Sequence, residues 1–200
     1  MKQFKSAAIL AGGKSTRMGF DKQLLEINGR RIIETMIETL KKEFEDIIVV
    51  SYKPELYENL KVRVVSDIIK DNGLLGGIHT AISYSESSFV YVVACDMPHL
   101  NLSYIDFMKE KLIGTENSSC ITRNGEWIEP LNAFYSRELT EDIELFLSTG
   151  KRSVYPFLKN HKTLYIEESD ARKFSPEFKM FLNLNTEEEL SQYNLSKSKD

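Results

Sequence analysis

Short apolar runs and longer amphipathic ones alternate along the first half of the chain. Ser6-Ala7-Ala8-Ile9-Leu10 reads as a buried strand that stops at Gly12-Gly13. Arg31 to Glu43 sets Ile32, Ile33, Met36, Ile37 and Leu40 on one helical stripe. Ile47 to Val50, Val62 to Ser66 and Phe89 to Ala94 read as further strands, with a helix over Ile78 to Ser85. Strands that are apolar throughout have both faces covered, which predicts a mostly parallel sheet between helical layers. Right-handed crossovers then bring the carboxyl ends of these strands to one edge. The second half differs. Cys120 to Arg123, Asn124-Gly125 and Ile128 to Tyr135 predict a hairpin with a type I′ turn, which makes the sheet mixed. Helices are expected around Glu138 to Leu147, Ser153 to Leu158 and Thr186 to Tyr193, and a strand over Thr163 to Ile166. Thr186 and Glu189 have the spacing of a capping box. The expected fold is therefore an α/β, Rossmann-like three-layer sandwich, one domain over 1–200 with a polar tail at about 195–200.

Composition narrows the function classes. A charge of −4 and 42% hydrophobic content describe an ordinary globular chain, and the acidic balance argues against a general nucleic-acid or membrane-surface binder. Cys95 and Cys120 have neither a disulfide-framework nor a zinc spacing, which suits a reducing cytoplasm. The apolar run after the N-terminus ends at Ala11, too short for a signal peptide, and the longest, Phe89 to Cys95, is far short of a membrane span. A cytoplasmic location is expected.

The segment Leu10-Ala11-Gly12-Gly13-Lys14-Ser15-Thr16-Arg17-Met18-Gly19-Phe20-Asp21-Lys22 follows the first strand directly. Gly12 and Gly13 lack the Cβ atoms that keep backbone N–H groups away from a ligand, and Arg17 and Lys22 add the charge that a triphosphate needs. A Walker A loop is excluded because Ala8 stands where its first glycine belongs, and a dinucleotide fingerprint because Lys14 replaces its second glycine. On the residues alone, a phosphate-binding loop and a plain Gly-rich turn with exposed cations both remain. Asp96 ends the apolar strand before Met97-Pro98, either as a loop-capping aspartate or as a carboxylate for Mg²⁺, which takes one or two protein carboxylates plus phosphate and water oxygens. Cys95 has no neighbour that would lower its pKa, and Asp96 would raise it.

The glycine segment resembles the signature L-A-G-G-x-S-x-R-M-G-x-D-K of the molybdenum cofactor guanylyltransferases, with every fixed position present. Nucleotidyltransferases more broadly share a looser version, commonly with a single alanine–glycine pair, so the double glycine favours the guanylyltransferase branch. Cys95-Asp96-Met97-Pro98 is similar to the family's metal motif, Glu129-Pro130-Leu131 to its E-P-L, Gly150-Lys151-Arg152-Ser153 to its G-x-R-S, and Asn183-Leu184-Asn185-Thr186-Glu187 to its N-x-N-T-P, with Glu187 for proline. Gly73-Leu74-Leu75-Gly76-Gly77 resembles its G-P-L-x-G, with Leu74 for proline. After the second strand Ser51-Tyr52-Lys53 stands where the family usually has an asparagine, and that contact is not carried over. The resemblance spans about residues 6–192.

The resemblance implies a fold of nucleotide-diphospho-sugar transferase type and transfer of GMP from GTP to the terminal phosphate of molybdopterin or Mo-molybdopterin, with pyrophosphate released. Leu10, Ala11, Gly12, Gly13, Lys22, Asp67, Gly76, Gly77 and Asp96 would then bind nucleotide, with backbone groups of the 73–77 segment reading the guanine edge. Asp67 is equally a plain turn residue at a strand end. Arg17, Lys22 and Asp96 would be catalytic, Asp96 holding Mg²⁺ (or Mn²⁺), and Arg152, Asn183 and Asn185 would contact the pterin. Lys22 and Asp96 are expected to face each other across the polyphosphate on a solvent-reached edge, so that replacing either has little effect on stability. A GTP-binding adaptor protein and acceptor molybdoenzymes are the implied partners. The rival readings are a nucleotidyltransferase using CTP or a sugar phosphate, and a non-catalytic pterin or nucleotide carrier.

Overall fold

A computed structural model of the chain describes residues 3–12, 21–27, 29–184 and 189. The expectations for Gly13, Arg17 and Asn185, and all of the last helix but Glu189, lie outside the described residues. The elements are, in order, β1 (Ser6–Leu10), β2 (Glu26–Ile27), β3 (Arg30–Arg31), α1 (Ile32–Leu40), β4 (Asp46–Val50), β5 (Arg63–Val65), α2 (Gly73–Tyr84), β6 (Phe89–Ala94), α3 (Leu102–Leu112), β7 (Ser119–Asn124), β8 (Trp127–Ser136), α4 (Thr140–Ser148), α5 (Val154–Leu158), β9 (Thr163–Glu167) and α6 (Glu168–Ala171). Seven strands form one sheet in the order β5-β4-β1-β6-β8-β7-β9, and β2 pairs with β3 beside it. Only β8 runs against its neighbours; all other pairings in the large sheet are parallel.

The apolar runs are explained by two cores, one on each face of the sheet. Along β1, Ala7 and Ile9 point into a cluster with Ile33, Ile37 and Leu40 of α1 and Ile105 and Met108 of α3. Ala8 and Leu10 point the other way, against Ile78 and Ile82 of α2, Ile143 of α4 and Phe157 of α5. Successive strand residues face opposite sides, so a strand covered on both sides is apolar at every position. The layering is the expected three-layer sandwich. Among the described residues no helix is long and apolar enough to cross a membrane.

Four details depart from the sequence pattern. α3 stands where the pattern reading has no element, although Tyr104, Ile105, Met108 and Leu112 are buried at helical spacing and Asn101 caps the first turn by accepting from the Tyr104 N–H at 3.0 Å. α2 begins at Gly73, five residues before the expected Ile78. The hairpin turn is centred on Gly125-Glu126, because Asn124 pairs with Trp127, and φ is positive at Gly125 (+60°) but not at Glu126. That is the φ pattern of type II′ rather than type I′. In β8, Glu129 opposes Thr122 and Phe134 opposes Cys120, so residues 130–133 bulge out against Ile121 alone. The bulge turns on Asn132 at φ +56°, which is buried and held by Tyr91 Oη donating to its Oδ1 at 2.6 Å and by its Nδ2 donating to the Met180 carbonyl at 3.2 Å.

Candidate active site

β1, β4, β5 and β6 run in the same direction, so Gly12, Ser51, Asp67 and Asp96, which follow them, share the carboxyl edge of the sheet. The Cys95 N–H donates to the Leu10 carbonyl at 3.1 Å, extending the β1–β6 ladder to the residue before Asp96. On its other side the Asp96 carbonyl accepts from the Leu184 N–H at 2.9 Å. Asp96 is thus fixed by its main chain at both ends, and it is only 6% exposed.

Its carboxylate faces Lys22. Lys22 Nζ donates to Asp96 Oδ2 at 2.6 Å, a charge-assisted bond whose lysine side chain is 25% exposed. Asp96 Oδ1 is buried and has no hydrogen-bond partner among the described residues. The two groups meet as expected, but as a direct ion pair with no nucleotide's width between them. The expected solvent-reached setting of Asp96 is also corrected: replacing Lys22 alone strands a buried carboxylate, so the pair cannot be dismantled at negligible cost to stability.

An orphaned carboxylate oxygen beside an ammonium fits a hard divalent cation, which prefers anionic oxygen ligands and needs few of them from the protein. No cluster of three or more His, Cys, Asp or Glu side chains able to hold a metal occurs among the described residues. Cys95 beside it is buried, and burial first, then the Asp96 charge, push its thiol up to about 12, so it is an inert core residue.

Around this pair the other expected contacts divide. A Cβ on Gly12 would meet Asp67 Oδ2 at 3.6 Å and Val50 O at 3.7 Å, ordinary contacts, so packing by the described residues does not require a glycine there. Its missing Cβ leaves backbone accessible beside Asp67. Asp67 is partly buried, and burial first, then the Asp71 charge, hold its pKa above the usual value. The Ala11 N–H already donates to Val50 O at 2.9 Å, and Leu10 lies beneath Gly77, whose added Cβ would come within 3.2 Å of Leu10 Cδ1. Those two residues form the floor of the edge.

The expectation that Gly76 and Gly77 present backbone donors to a base is corrected. Both are buried within α2, and the Gly76 N–H donates to Asn72 O at 3.2 Å. The free donors of a helix N-terminus are its first N–H groups, here those of Gly73, Leu74 and Leu75. Gly76 is a glycine for packing: a Cβ would lie 3.0 Å from Asn72 Cβ and 3.2 Å from Ile69 O.

On the acceptor side, Asn183 is tied to the edge through its neighbour Leu184, the residue bonded to Asp96. Arg152 lies in the exposed loop between α4 and α5, with no hydrogen bond or ion pair to a described residue. Helix α5 opens at Val154, two residues after Arg152.

The residues that sequence reasoning missed lie beside Lys22. Asp21 Oδ1 caps a single 3₁₀ turn over Lys22–Leu24 by accepting from the Gln23 N–H at 3.1 Å, and Asp21 Oδ2 accepts from Lys53 Nζ at 2.7 Å. The buried Gln23 turns its Oε1 to Ser51 Oγ (2.6 Å) and Tyr57 Oη (2.8 Å). The signals for this were Asp21, a fixed position of the glycine-segment signature, and the polar run Ser51-Tyr52-Lys53 directly after an apolar strand.

Comparison with known proteins gives the family. The family model of the MobA-like NTP transferase domain matches residues 7–164. A probable molybdenum cofactor guanylyltransferase of Peptoclostridium acidaminophilum is 51% identical over 197 residues, covering 96% of this chain and 89% of that protein. The molybdenum cofactor guanylyltransferase of Syntrophotalea carbinolica is 50% identical over 191 residues, covering 96% and 91%. Among solved structures, molybdopterin-guanine dinucleotide biosynthesis protein A from Archaeoglobus fulgidus superposes with a TM-score of 0.85 at 24% identity, covering 98% of this chain and all of that one. The 4-diphosphocytidyl-2C-methyl-D-erythritol synthase of Anaerococcus prevotii superposes with a TM-score of 0.71 at 16% identity, covering 98% of this chain and 96% of that one, so it shares the fold. The chain is an enzyme of the MobA-like NTP transferases and belongs, within them, to the molybdenum cofactor guanylyltransferase family.

Proposed function

We propose that this enzyme transfers GMP from GTP to the terminal phosphate of molybdopterin or Mo-molybdopterin, giving the guanine dinucleotide form of the cofactor and pyrophosphate. Its relatives at about half identity over nearly their whole length carry that activity in their names. The observation that carries the chemistry is the Lys22–Asp96 pair at the carboxyl edge, with Asp96 Oδ1 left open.

In the reaction an acceptor phosphate oxygen forms a bond to the α-phosphorus of GTP, and the bond from that phosphorus to the bridging oxygen of the β-phosphate breaks. The nucleophile is already an anion near neutral pH, so no general base is needed. The difficulty is gathering several negative charges, which makes positioning and electrostatic stabilisation the main tasks. Lys22, with Arg17 from the glycine segment, holds the triphosphate and the departing pyrophosphate. Lys22 is bonded directly to Asp96 in the free enzyme. Asp96, through its unpartnered Oδ1, would hold Mg²⁺, or Mn²⁺ in its stead, and the ion would neutralise phosphate charge at the reacting group and the leaving group. Asp67, beside Gly12, is the acidic nucleotide contact, and the first N–H groups of α2 take the base-reading role assigned to the 73–77 segment. Asn183, Asn185 and Arg152 contact the pterin side. A GTP-binding adaptor and acceptor molybdoenzymes are the partners this product requires, and the cytoplasm is where they are met.

One assay tests the reading. The purified enzyme is incubated with Mg²⁺, molybdopterin and each NTP in turn, and pyrophosphate is followed. Acceptor-dependent release with GTP well above CTP is expected, and Asp96→Ala or Lys22→Ala loses most turnover. Equal use of CTP moves the enzyme to a cytidylyltransferase role. Undiminished transfer by Asp96→Ala removes the metal assignment.

A further inference from the structure

Lys22 is reached from two directions. Its ammonium bonds Asp96, the residue after β6, while both of its sequence neighbours are tied to the segment after β4. In the sheet β1 lies between β4 and β6, so the 3₁₀ turn bridges the end of β1 like a span resting on two supports. The β4 support has two footings. Lys53 Nζ donates to Asp21 Oδ2 at 2.7 Å, and Ser51 Oγ and Tyr57 Oη both donate to Gln23 Oε1, at 2.6 and 2.8 Å. The footings are joined: Gln23 Nε2 donates to Asp21 Oδ1 at 3.1 Å, and the Lys53 N–H donates to Ser51 Oγ at 3.0 Å. Ser51 is itself fixed to β5, its N–H donating to Val65 O at 2.8 Å.

Gln23 is 2% exposed, and Ser51 and Tyr57 are equally withdrawn from water. A buried polar group stabilises little over an apolar one of the same shape, and a network of them is favourable only when every member is satisfied. This network is satisfied, and it converges on the residues either side of one lysine. A free lysine has about 2 kcal/mol of rotamer entropy, and a misplacement of about 1 Å can reduce turnover about 100-fold. Pinning the side chains on both sides of Lys22 restricts where its ammonium can reach.

We propose that Lys53, Ser51 and Tyr57 are positioning residues for Lys22: through Asp21 and Gln23 they set the place of its ammonium over the end of β1. The inference rests on the role given to Lys22 above, and it assigns a purpose to the Ser51-Tyr52-Lys53 run. None of the three residues needs to touch the nucleotide.

The test combines kinetics with chemical labelling. Lys53→Met removes one footing and Tyr57→Phe one of the two bonds of the other, both with side-chain volume kept. Each is expected to lower kcat for GMP transfer by about 10-fold or more. In a Lys22→Ala background neither causes a further loss, because the group they position is gone. Lys53→Arg, which can still bond Asp21, restores most of the rate. A readout that needs no turnover is reductive methylation of Lys22, quantified by peptide mass spectrometry. It rises several-fold in Lys53→Met and Tyr57→Phe, while labelling of Lys109, whose partners Glu43 and Asp106 lie elsewhere, stays constant. Unchanged Lys22 labelling, or a kcat loss that persists in full beside Lys22→Ala, overturns the proposal. A wild-type enzyme that transfers no GMP overturns the assigned reaction instead, and the labelling alone then decides this inference.

Discussion

Asp67 stands two residues past β5, partly withdrawn from water, beside Gly12 and within the field of Asp71. It has no hydrogen bond to a described residue, and burial followed by the Asp71 charge raises its pKa above 3.8. A carboxyl that binds its proton more tightly folded than unfolded favours the fold only while protonated. Its contribution is complete below 3.8 and is lost as pH rises through the folded value. At neutral pH the ionised side chain is therefore a burden on the free enzyme, which suits a group kept for a ligand. Asp67→Asn is expected to be more stable than wild type near pH 7, with the advantage shrinking as pH falls toward 4 and GTP binding weakened. Urea midpoints across that range check it. An advantage that grows toward acid pH contradicts the assignment of cause.

At the scale of elements, the glycines of α2 show where packing and ligand-binding readings part. A Cβ on Gly77 would meet Leu10 Cδ1 at 3.2 Å, the mobile end of a side chain, whereas one on Gly76 would meet the Ile69 carbonyl at 3.2 Å and Asn72 Cβ at 3.0 Å. Alanine in a helix interior is worth about 1 kcal/mol over glycine, which offsets a small shift of Leu10 but not a displaced backbone. Gly77→Ala is expected to be nearly neutral and Gly76→Ala to cost about 1–3 kcal/mol in denaturant unfolding. Equal effects contradict this ordering. The same pair marks how far the sequence was legible. The strands of the parallel half were readable to within a residue or so because burial on both faces leaves unbroken apolar runs. The first turn of α2 was not, since Gly73-Leu74-Leu75-Gly76-Gly77 has the composition of a loop and owes its helix to packing on Leu10 and Ile69. Lys22 and Asp96 were legible as chemistry because each belongs to a recognisable motif, and their direct bond was not, because no spacing in sequence encodes a contact between residues 74 positions apart. The bonds of the Gln23 network were unreadable for the same reason, although the polar run Ser51-Tyr52-Lys53 marked one side of it.

Over the whole molecule, the proposed site exists only when the sheet is closed. Lys22 arrives from the turn after β1, Asp67 from β5, Asp96 from β6 and Leu184 from beyond α6, and the unfolded chain holds none of them together. A ligand that needs all of these groups binds the folded state alone and stabilises it by mass action, by about 2.7 kcal/mol at 100 times its dissociation constant. For a chain of this size that is a rise of roughly 5–10 °C in Tm. GTP with Mg²⁺ is expected to produce such a rise in the wild type and CTP a smaller one. The division of roles then predicts how variants differ. Asp96→Asn keeps an oxygen near Lys22 but loses the carboxylate charge, so its remaining response to GTP becomes independent of Mg²⁺. Lys22→Met removes the phosphate contact and loses most of the response whether or not Mg²⁺ is present. If Mg²⁺ still enlarges the GTP-induced shift in Asp96→Asn as much as in the wild type, the ion is held elsewhere on the edge, and Asp67, whose carboxylate lies beside Gly12, becomes the residue to test.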